Sequence, residues 1–361
     1  MRVLIAPDAF AGTLTAVEAA GAIAVGWARQ APGDALDLAP MSDGGPGFVD
    51  VLQAALGGEL VAVTVSGPFG ESVPATLLLA GDTAYVESAQ ACGLELTGRE
   101  RAEEATTYGV GELVAAAART GAARIVVGLG GSGTNDGGAG LLAALGATAD
   151  APLDRGVGAL SGVTRVDLTG VSEVLGGTEL VAASDVDNPL TGLFGATKTF
   201  GPQKGIPEDR LPALDAHLEA WGSALDRRLS LAPGAGAAGG LGFALLALRA
   251  QRRSGLTVVA EAVDLAERAQ KADLVVTGEG AFDFSSRGGK VPYGVAQIAA
   301  AAPRPCLVLA GRVLVGAREM RALGIESAYS LVDLLGEARA FGEPHTALAD
   351  LAARAARTWS R

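Results

Sequence analysis

Short apolar runs alternate with amphipathic helical patterns at both ends of the chain. "RVLIAPD" predicts a buried strand, and a helix is predicted to begin after it at a capping box formed by Thr15 and Glu18. "ALDLAPM" repeats the strand pattern, and Pro46 opens a second helix that stops at Gly57 and Gly58. The last third returns to this alternation, with strands predicted at "ADLVVTGEG", "PCLVLAG" and "ESAYSLV". Strands and helices in alternation are typical of a parallel sheet covered by helices.

The middle of the chain has a different pattern. "ELVAVTVSGPFGESVPATLLLAGDTAYVESA" alternates around two turn signals, as antiparallel hairpins do, and further strands are predicted at "ARIVVGLG" and "ELVAAS". A chain of 361 residues exceeds one typical core. We therefore predict a two-domain α/β fold, with a Rossmann-like parallel-sheet domain built from both chain ends (1–62 and 255–361). The second domain, an α/β domain of mixed sheet, is inserted at 63–254.

Composition narrows the class of protein. The formal charge of −12 and the pI near 4.7 argue against a nucleic-acid or anionic-membrane partner. The two cysteines lie far apart in the sequence, which favours a reducing compartment. The apolar run at the start is too short for a signal peptide, and no apolar stretch reaches the roughly 18 residues of a membrane span. The expected location is cytoplasmic.

Acidic residues recur just past predicted strands. A single Asp there is equally well explained as a turn or helix-cap residue. Five strands that end this way point instead to the edge of an α/β sheet where ligands bind. Carboxylates that converge there suggest Mg²⁺, with water and phosphate oxygens completing its shell. The acids concerned are Asp8, Asp43, Asp136, Asp185, Asp187, Glu279 and Asp283.

Glycines crowd the stretch "GLGGSGTNDGG". Three of them, Gly128, Gly130 and Gly133, spell the G-x-G-x-x-G of a dinucleotide-binding turn. With 52 glycines in 361 residues, such a match is expected roughly once by chance, and a second one occurs in "PGAGAAGGLG". The glycines allow phosphate to approach the backbone; the alternative is a tight turn with close helix–sheet packing.

Lysines and histidines are scarce. Lys204 and Lys290 lie in glycine-flanked loops, where an ammonium could neutralise phosphate, although a solvated loop lysine explains each equally well. His217 and His345 lie far from every candidate motif, which disfavours Ser-His-Asp hydrolysis and zinc sites. No G-x-x-x-x-G-K-[ST] phosphate loop occurs. A carboxylate is therefore the expected base.

Seven motifs in order resemble the type I glycerate kinase family over essentially the whole chain. They are "IAPDAFAGTLTA", "PMSDGGPG", "GLGGSGTNDGGAG", "ASDVDNPLTG", "FGPQKG", "PGAGAAGGLG" and "TGEGAFD…GK". The resemblance implies a two-domain α/β fold with the active-site cleft between the domains, and phosphorylation of D-glycerate with ATP and Mg²⁺. Many relatives carry a lysine in the opening loop, where Ala9 and Ala11 stand here, and an arginine where Ala281 stands.

From the residues and the resemblance together we predict three groups of site residues. The attacking hydroxyl is oriented or deprotonated by an aspartate, which we place at Asp187, with Asp8 and Asp283 as alternatives. Phosphoryl transfer needs mainly positioning and charge neutralisation, and Lys290 and Lys204 would offset the charge of the transferred group. The catalytic residues are thus Asp187, Asp8 and Lys290. The cofactor-binding residues are Gly130, Gly131, Ser132, Asn135, Asp136 and Lys204. The metal ligands are Asp185, Glu279, Asp283 and Asp43.

Two rival functions stay open at this point. An NAD-linked oxidoreductase would use the Gly128–Gly133 loop and an acid about 20 residues further on. Asp150 stands near that distance, but past the predicted end of the helix. The other rival is a catalytically weakened homologue that binds glycerate or nucleotide without turnover, which the missing lysine motivates.

Overall fold

The computed structural model describes residues 1–10, 12–283 and 290–360. Its strands are β1 Arg2–Ile5, β2 Ala35–Leu38, β3 Glu59–Ser66, β4 Ser72–Ala80, β5 Thr83–Glu87, β6 Arg124–Gly128, β7 Thr148–Ala149, β8 Val166–Asp167, β9 Glu179–Ala183, β10 Gln251–Arg253, β11 Leu274–Phe282, β12 Cys306–Val313 and β13 Ser327–Ser330. Its α-helices are α1 Ala16–Gln30, α2 Phe48–Leu56, α3 Ala89–Cys92, α4 Leu94–Thr97, α5 Tyr108–Arg119, α6 Ala139–Ala144, α7 Thr169–Leu175, α8 Ala196–Phe200, α9 Leu211–Leu225, α10 Leu241–Ala247, α11 Gly255–Ala262, α12 Leu265–Lys271, α13 Val291–Ala301, α14 Ala317–Ala322, α15 Leu331–Leu335, α16 Glu337–Gly342 and α17 Pro344–Trp359. None of these helices is long and apolar enough to cross a membrane.

The first compact unit contains both ends of the chain. It comprises Met1–Asp43, Asp50–Leu56 and Leu256–Arg361. Its sheet has the strand order β13-β12-β11-β1-β2, and every neighbouring pair is parallel. The inner strands are apolar and buried, as strands covered by helices on both faces must be.

The second compact unit comprises Gly44–Val49 and Gly57–Gly255. Its sheet has the order β10-β9-β6-β5-β4-β3 and is mixed. β3, β4 and β5 form the antiparallel hairpins that the alternating pattern predicts, whereas β5, β6, β9 and β10 run parallel. The two sheets confirm the α/β class with one parallel and one mixed sheet. The predicted domain boundaries stay predictions.

In helix α1 the local sequence determines where the helix begins, and packing against α17 determines which face is buried. The Thr15 hydroxyl accepts a hydrogen bond from the Glu18 amide at 3.2 Å and the Glu18 carboxylate accepts one from the Thr15 amide at 2.9 Å, so the predicted capping box is present. Val17 is 42% exposed, although its spacing from Ala20 and Trp27 fits a single apolar face. The helix instead buries Gly26 against α17, where a Cβ on Gly26 would lie 1.9 Å from the Ala349 carbonyl oxygen.

This close approach makes Gly26→Ala destabilising. The added methyl must displace the α17 backbone, and overpacking of this kind costs about 1–3 kcal/mol of unfolding free energy. Gly21→Ala in the same helix is the matched control, because a Cβ added there would meet nothing within 4 Å. That variant should gain about 0.5–1 kcal/mol from helix propensity. Denaturant unfolding measures both changes, and equal effects at the two sites would contradict the packing described.

Candidate active site

Three acids of the first unit lie on neighbouring strands at one edge of its sheet. Asp8 follows β1, Asp43 follows β2, and Glu279 lies within β11, the strand on the other side of β1. Because parallel strands end at the same edge, these carboxylates converge where α/β sheets bind ligands. Burial raises the pKa of Asp8 well above its ordinary value, and repulsion from Asp43 and then from Glu279 adds to the rise.

Asp8 is held by its backbone and leaves one carboxylate oxygen available. Its amide donates to the Gly278 carbonyl at 2.8 Å, which fixes the residue against β11. Its Oδ1 accepts a hydrogen bond from the Ala9 amide at 2.7 Å. Among the described residues, no hydrogen bond reaches Oδ2. This oxygen can accept a proton or a hydrogen bond from a ligand.

Lys290 faces two of the predicted metal ligands. Its Nζ lies 4.0 Å from Glu279 Oε2 and 3.8 Å from Asp283 Oδ1, distances of ion pairs rather than of short hydrogen bonds. Lys290 directly precedes α13, so the first turn of that helix positions it. Glu279 was expected in a loop, but β11 continues to Phe282 because Ala281 and Phe282 still pair with β12.

Ala9 and Ala281, where the resemblance suggests a basic residue, both lie in the first unit. Ala9 directly follows Asp8 and contributes its amide to that carboxylate. Ala281 is exposed, and its backbone pairs with that of Arg312 on β12. The Arg312 guanidinium lies 2.5 Å from the Glu337 carboxylate. Ala11 lies outside the described residues.

The glycine loop after β6 is mostly internal to the second unit. Gly131 is exposed and Gly130 half-buried, whereas 132–140 are buried throughout. Gly131, Gly137 and Gly138 have positive φ angles of 73°, 66° and 72°, which other residues adopt only under strain. The part of this loop that a ligand can reach is therefore Gly130 and Gly131.

The second glycine match packs against the part of the loop that follows the first match. The Gly137 amide donates to the Gly239 carbonyl at 2.9 Å. A Cβ on Gly239 would lie 2.0 Å from the Thr134 carbonyl oxygen, and one on Gly240 would lie 2.5 Å from the Gly137 Cα. Close backbone packing thus explains most of these glycines, as the alternative interpretation of the sequence anticipated.

Asp136 anchors this loop from inside. Its Oδ2 accepts hydrogen bonds from the amide and hydroxyl of Thr107, both at 2.8 Å, and from the Gly140 amide at 3.2 Å. Its Oδ1 accepts one from the Gly138 amide at 3.0 Å. Burial nevertheless raises the pKa of Asp136, which shows how completely the carboxylate is removed from water. The side chain joins the glycine loop to the start of α5.

Asn135 and Lys204 are equally enclosed. Asn135 Nδ2 donates to Thr197 Oγ1 at 2.9 Å, and its Oδ1 has no hydrogen-bond partner among the described residues. Lys204, only 2% exposed, donates from Nζ to Thr134 O at 2.6 Å and to Ser132 Oγ at 3.0 Å. Desolvation lowers the pKa of Lys204 to about 8. Asn135 therefore joins the loop to α8, Lys204 binds the loop itself, and neither side chain faces solvent.

The acids after β9 differ from those above. Asp187 is 80% exposed at its side chain and pairs with Arg252 at 2.5 Å. Asp185 is half-buried, next to Ser184, whose hydroxyl accepts a hydrogen bond from the Val186 amide at 3.2 Å. Both follow the carboxyl end of β9, as the sequence predicts.

Glu87 is a buried acid that the sequence reasoning missed. It ends β5, and its carboxylate accepts a hydrogen bond from the Gly47 amide at 3.0 Å, just before α2. The alternating pattern around it predicts only antiparallel hairpins. The parallel pairing of β5 with β6 nevertheless brings Glu87 to the same edge as the glycine loop, in register with Gly128. The acid at the end of "TAYVE" was the signal that could have revealed it.

The acids fit Mg²⁺ held partly by substrate. No group of three or more His, Cys, Asp or Glu side chains in the described ranges could by itself hold a metal ion. Mg²⁺ is usually bound in proteins by one or two carboxylates, with water and phosphate oxygens as its remaining ligands. The repulsion that raises the pKa of Asp8 beside Asp43 and Glu279 is what a divalent cation nearby would relieve.

Comparisons with known proteins agree over the whole length. The model of the glycerate kinase family matches residues 3–360. A glycerate kinase of Bacillus subtilis is 41% identical over 345 residues, covering 92% of this chain and 90% of the relative. A glycerate 2-kinase of Escherichia coli is 39% identical over 349 residues, covering 93% and 92%. A crystal structure from Salmonella typhimurium, described as a candidate glycerate kinase 2, superposes with a TM-score of 0.81 at 36% identity, covering 99% and 98%.

Proposed function

The chain belongs to the glycerate kinase family and is a kinase, and from this premise we propose that it transfers the γ-phosphoryl group of ATP to a hydroxyl of D-glycerate. The family match over residues 3–360 carries the proposal. Neither NAD-linked oxidation nor a role without turnover has comparable support. The proposal includes Mg²⁺ as cofactor and the cytoplasm as location.

Asp8 is the residue we propose as general base. Its free Oδ2 can accept the proton of the attacking hydroxyl, because hydrogen bonds within the described residues occupy only Oδ1. Asp187, our first choice from sequence, has its carboxylate engaged by Arg252 and is largely exposed. We therefore give Asp187 a role in binding.

Lys290 is proposed to offset negative charge on the transferred group. Its ammonium lies at ion-pair distance from two carboxylates, so it is held beside them without being sealed off. Its side chain is 35% exposed, which leaves room for a phosphate oxygen to reach it. A positioned cation acts on charge that develops in the transition state.

The glycine loop is proposed to lie against the nucleotide phosphates. Gly130 and Gly131 are its accessible residues, where a phosphate can reach the backbone, and their missing Cβ atoms make room for Gly45 and Pro46. Ser132, Asn135 and Asp136 are buried, so their contribution is to shape this surface from below.

Asp43, Glu279 and Asp283 of the first unit are the residues that would hold Mg²⁺, and Asp185 of the second unit stays a prediction from sequence. The bound ion would supply positive charge to the phosphate oxygens. Because the described acids do not form a closed set of ligands, metal affinity should depend on bound nucleotide.

Phosphorus NMR of the protein with D-glycerate and Mg-ATP tests the proposal. We expect ADP and a phosphoglycerate to appear together, and the product signal to distinguish the 2- from the 3-phosphate. EDTA in excess over Mg²⁺ should abolish the reaction. A folded protein that produces neither compound would contradict the proposal. Tight glycerate or nucleotide binding without turnover would then favour the weakened homologue, whereas thermal protection by a nicotinamide cofactor and not by Mg-ATP would favour the oxidoreductase.

A further inference from the structure

We propose that Lys204 is a positioning residue, whose buried ammonium sets the conformation of the glycine loop instead of contacting phosphate. The inference deepens the proposed function, since it concerns the loop assigned there to the nucleotide phosphates. It changes the role that the sequence suggested for this lysine.

The turn that contains Lys204 fixes the position of this residue. Pro202–Lys204 forms a short 3₁₀ helix that ends at Gly205, whose φ of +93° is a left-handed conformation. A Cβ on Gly205 would lie 2.0 Å from the Arg99 carbonyl oxygen. The turn is therefore seated against the Arg99 backbone, and only glycine fits at its end. Its position is fixed before any ligand binds.

Its ammonium binds the loop through two of its three donors. Nζ donates at 2.6 Å to the carbonyl of Thr134 and at 3.0 Å to the hydroxyl of Ser132, which lies two positions earlier in the loop. Lys204 is 2% exposed, and Ser132 is 5% exposed. An ammonium has three donors, and two of them are used here at short distance. A phosphate would have to displace these contacts to reach it.

Asp136 is a second buried anchor of the same loop, with a charge opposite to that of Lys204. Lys204 holds oxygen atoms at positions 132 and 134, whereas Asp136 holds the amides of Gly138 and Gly140. Two buried side chains of opposite charge thereby constrain successive parts of one loop. The accessible residues Gly130 and Gly131 lie just before this constrained stretch, so their placement depends on it.

Hydrogen exchange of the ligand-free protein tests this role without relying on activity. Lys204→Met keeps the apolar stem but removes the donors, and we expect at least tenfold faster exchange of peptides that cover 128–140. Lys204→Gln, which retains a donor, should show a smaller increase. Lys271→Met, at a surface lysine paired with Glu267, is the matched control and should change nothing there. Unchanged exchange in a folded Lys204→Met would overturn the proposal, even if the protein proved not to phosphorylate glycerate.

Kinetics give a second readout. A misplaced loop should lower kcat by about 10–100-fold, since small displacements at a site have effects of this size. The KM for ATP should change much less than kcat. Ser132→Ala in the Lys204→Met background should add little, because both changes remove the same contact. A rise confined to the KM for ATP, with normal loop exchange, would instead indicate direct phosphate contact and refute the positioning role.

The pH dependence of the melting temperature tests the buried ammonium even if Lys204→Met is less stable than the wild type. The groups that act on the ammonium are Cys92 and Asp136, and burial raises the pKa of the Cys92 thiol to about 12, so it stays neutral. The folded pKa of Lys204, about 8, lies below that of an unfolded lysine, so the unfolded chain binds more protons between the two values. The melting temperature of the wild type relative to Lys204→Met should be constant below pH 8 and rise from pH 8 to 10. A flat difference would contradict the buried ammonium.

Discussion

Asp8→Asn should lower kcat for glycerate phosphorylation by about 10²–10⁴-fold, the range associated with loss of a general base. The amide keeps the size of the carboxylate, and its oxygen can still accept the hydrogen bond from Ala9, so the loop after β1 should keep its shape. What is lost is the oxygen that accepts a proton. Steady-state ADP release with D-glycerate and Mg-ATP measures the effect.

Asp187→Asn is the matched variant, and we expect it to retain kcat within about tenfold, as suits a residue whose role is in binding. The stability of Asp8→Asn offers a further check. Burial and the neighbouring acids Asp43 and Glu279 raise the pKa of Asp8, so its charged form is disfavoured in the folded state. A neutral amide there should leave the melting temperature unchanged or raise it. If Asp187→Asn were the inactive variant and Asp8→Asn the active one, the base would be Asp187.

Local sequence signals predicted the elements that depend on nearby residues. The capping box at Thr15 and Glu18 and the hairpins of β3 to β5 are set by contacts close along the chain, and both are present. Long-range packing decided the rest. Val17 fits a helical apolar face by spacing, but the face that α17 covers contains Gly26 and leaves Val17 exposed. No periodicity in α1 alone could show which face α17 would take.

The site residues divide in the same way. The rule that acids follow parallel strands located Asp8, Asp43 and Asp187 correctly in the chain, because it depends only on where strands end. It could not tell an exposed carboxylate from an enclosed one. Asp136 and Lys204 stand in loops rich in glycine, which suggested contact with solvent and ligand, yet tertiary packing encloses both. Their burial depends on residues up to 72 positions away, such as the Ser132 partner of Lys204.

The glycine motif shows why composition has to be weighed before a motif is interpreted. Its two matches, at Gly128–Gly133 and Gly234–Gly239, each pack closely against other parts of the second unit. A dinucleotide fingerprint would explain the first and leave the second without a reason. Close backbone contact explains both, since a Cβ on Gly239 would lie 2.0 Å from the Thr134 carbonyl oxygen and one on Gly130 would lie 2.3 Å from the Gly45 Cα. Each match therefore needs glycine for packing, with or without a ligand.

Asp136→Ala should cost about 3–5 kcal/mol of unfolding free energy, among the largest effects of any single polar substitution in the second unit. The change leaves the Thr107 amide and the amides of Gly138 and Gly140 buried without their acceptor. Each unsatisfied buried donor costs about 1–3 kcal/mol, reduced by whatever relaxation the loop achieves. Urea denaturation gives the value directly, and activity should fall with it because the loop loses its anchor.

Asp136→Asn separates the loss of hydrogen bonds from the loss of volume. With its amide oxygen in place of Oδ2, asparagine can keep the Thr107 and Gly140 contacts, but its NH₂ group then faces the Gly138 amide, which is also a donor. We expect an intermediate cost of about 1–3 kcal/mol. Asp154→Ala, at an exposed position of the same unit, should lie within about 0.5 kcal/mol of the wild type. If Asp136→Ala were as mild as Asp154→Ala, the loop would have to be held by its glycine packing alone, and the paired anchoring by Asp136 and Lys204 would be wrong.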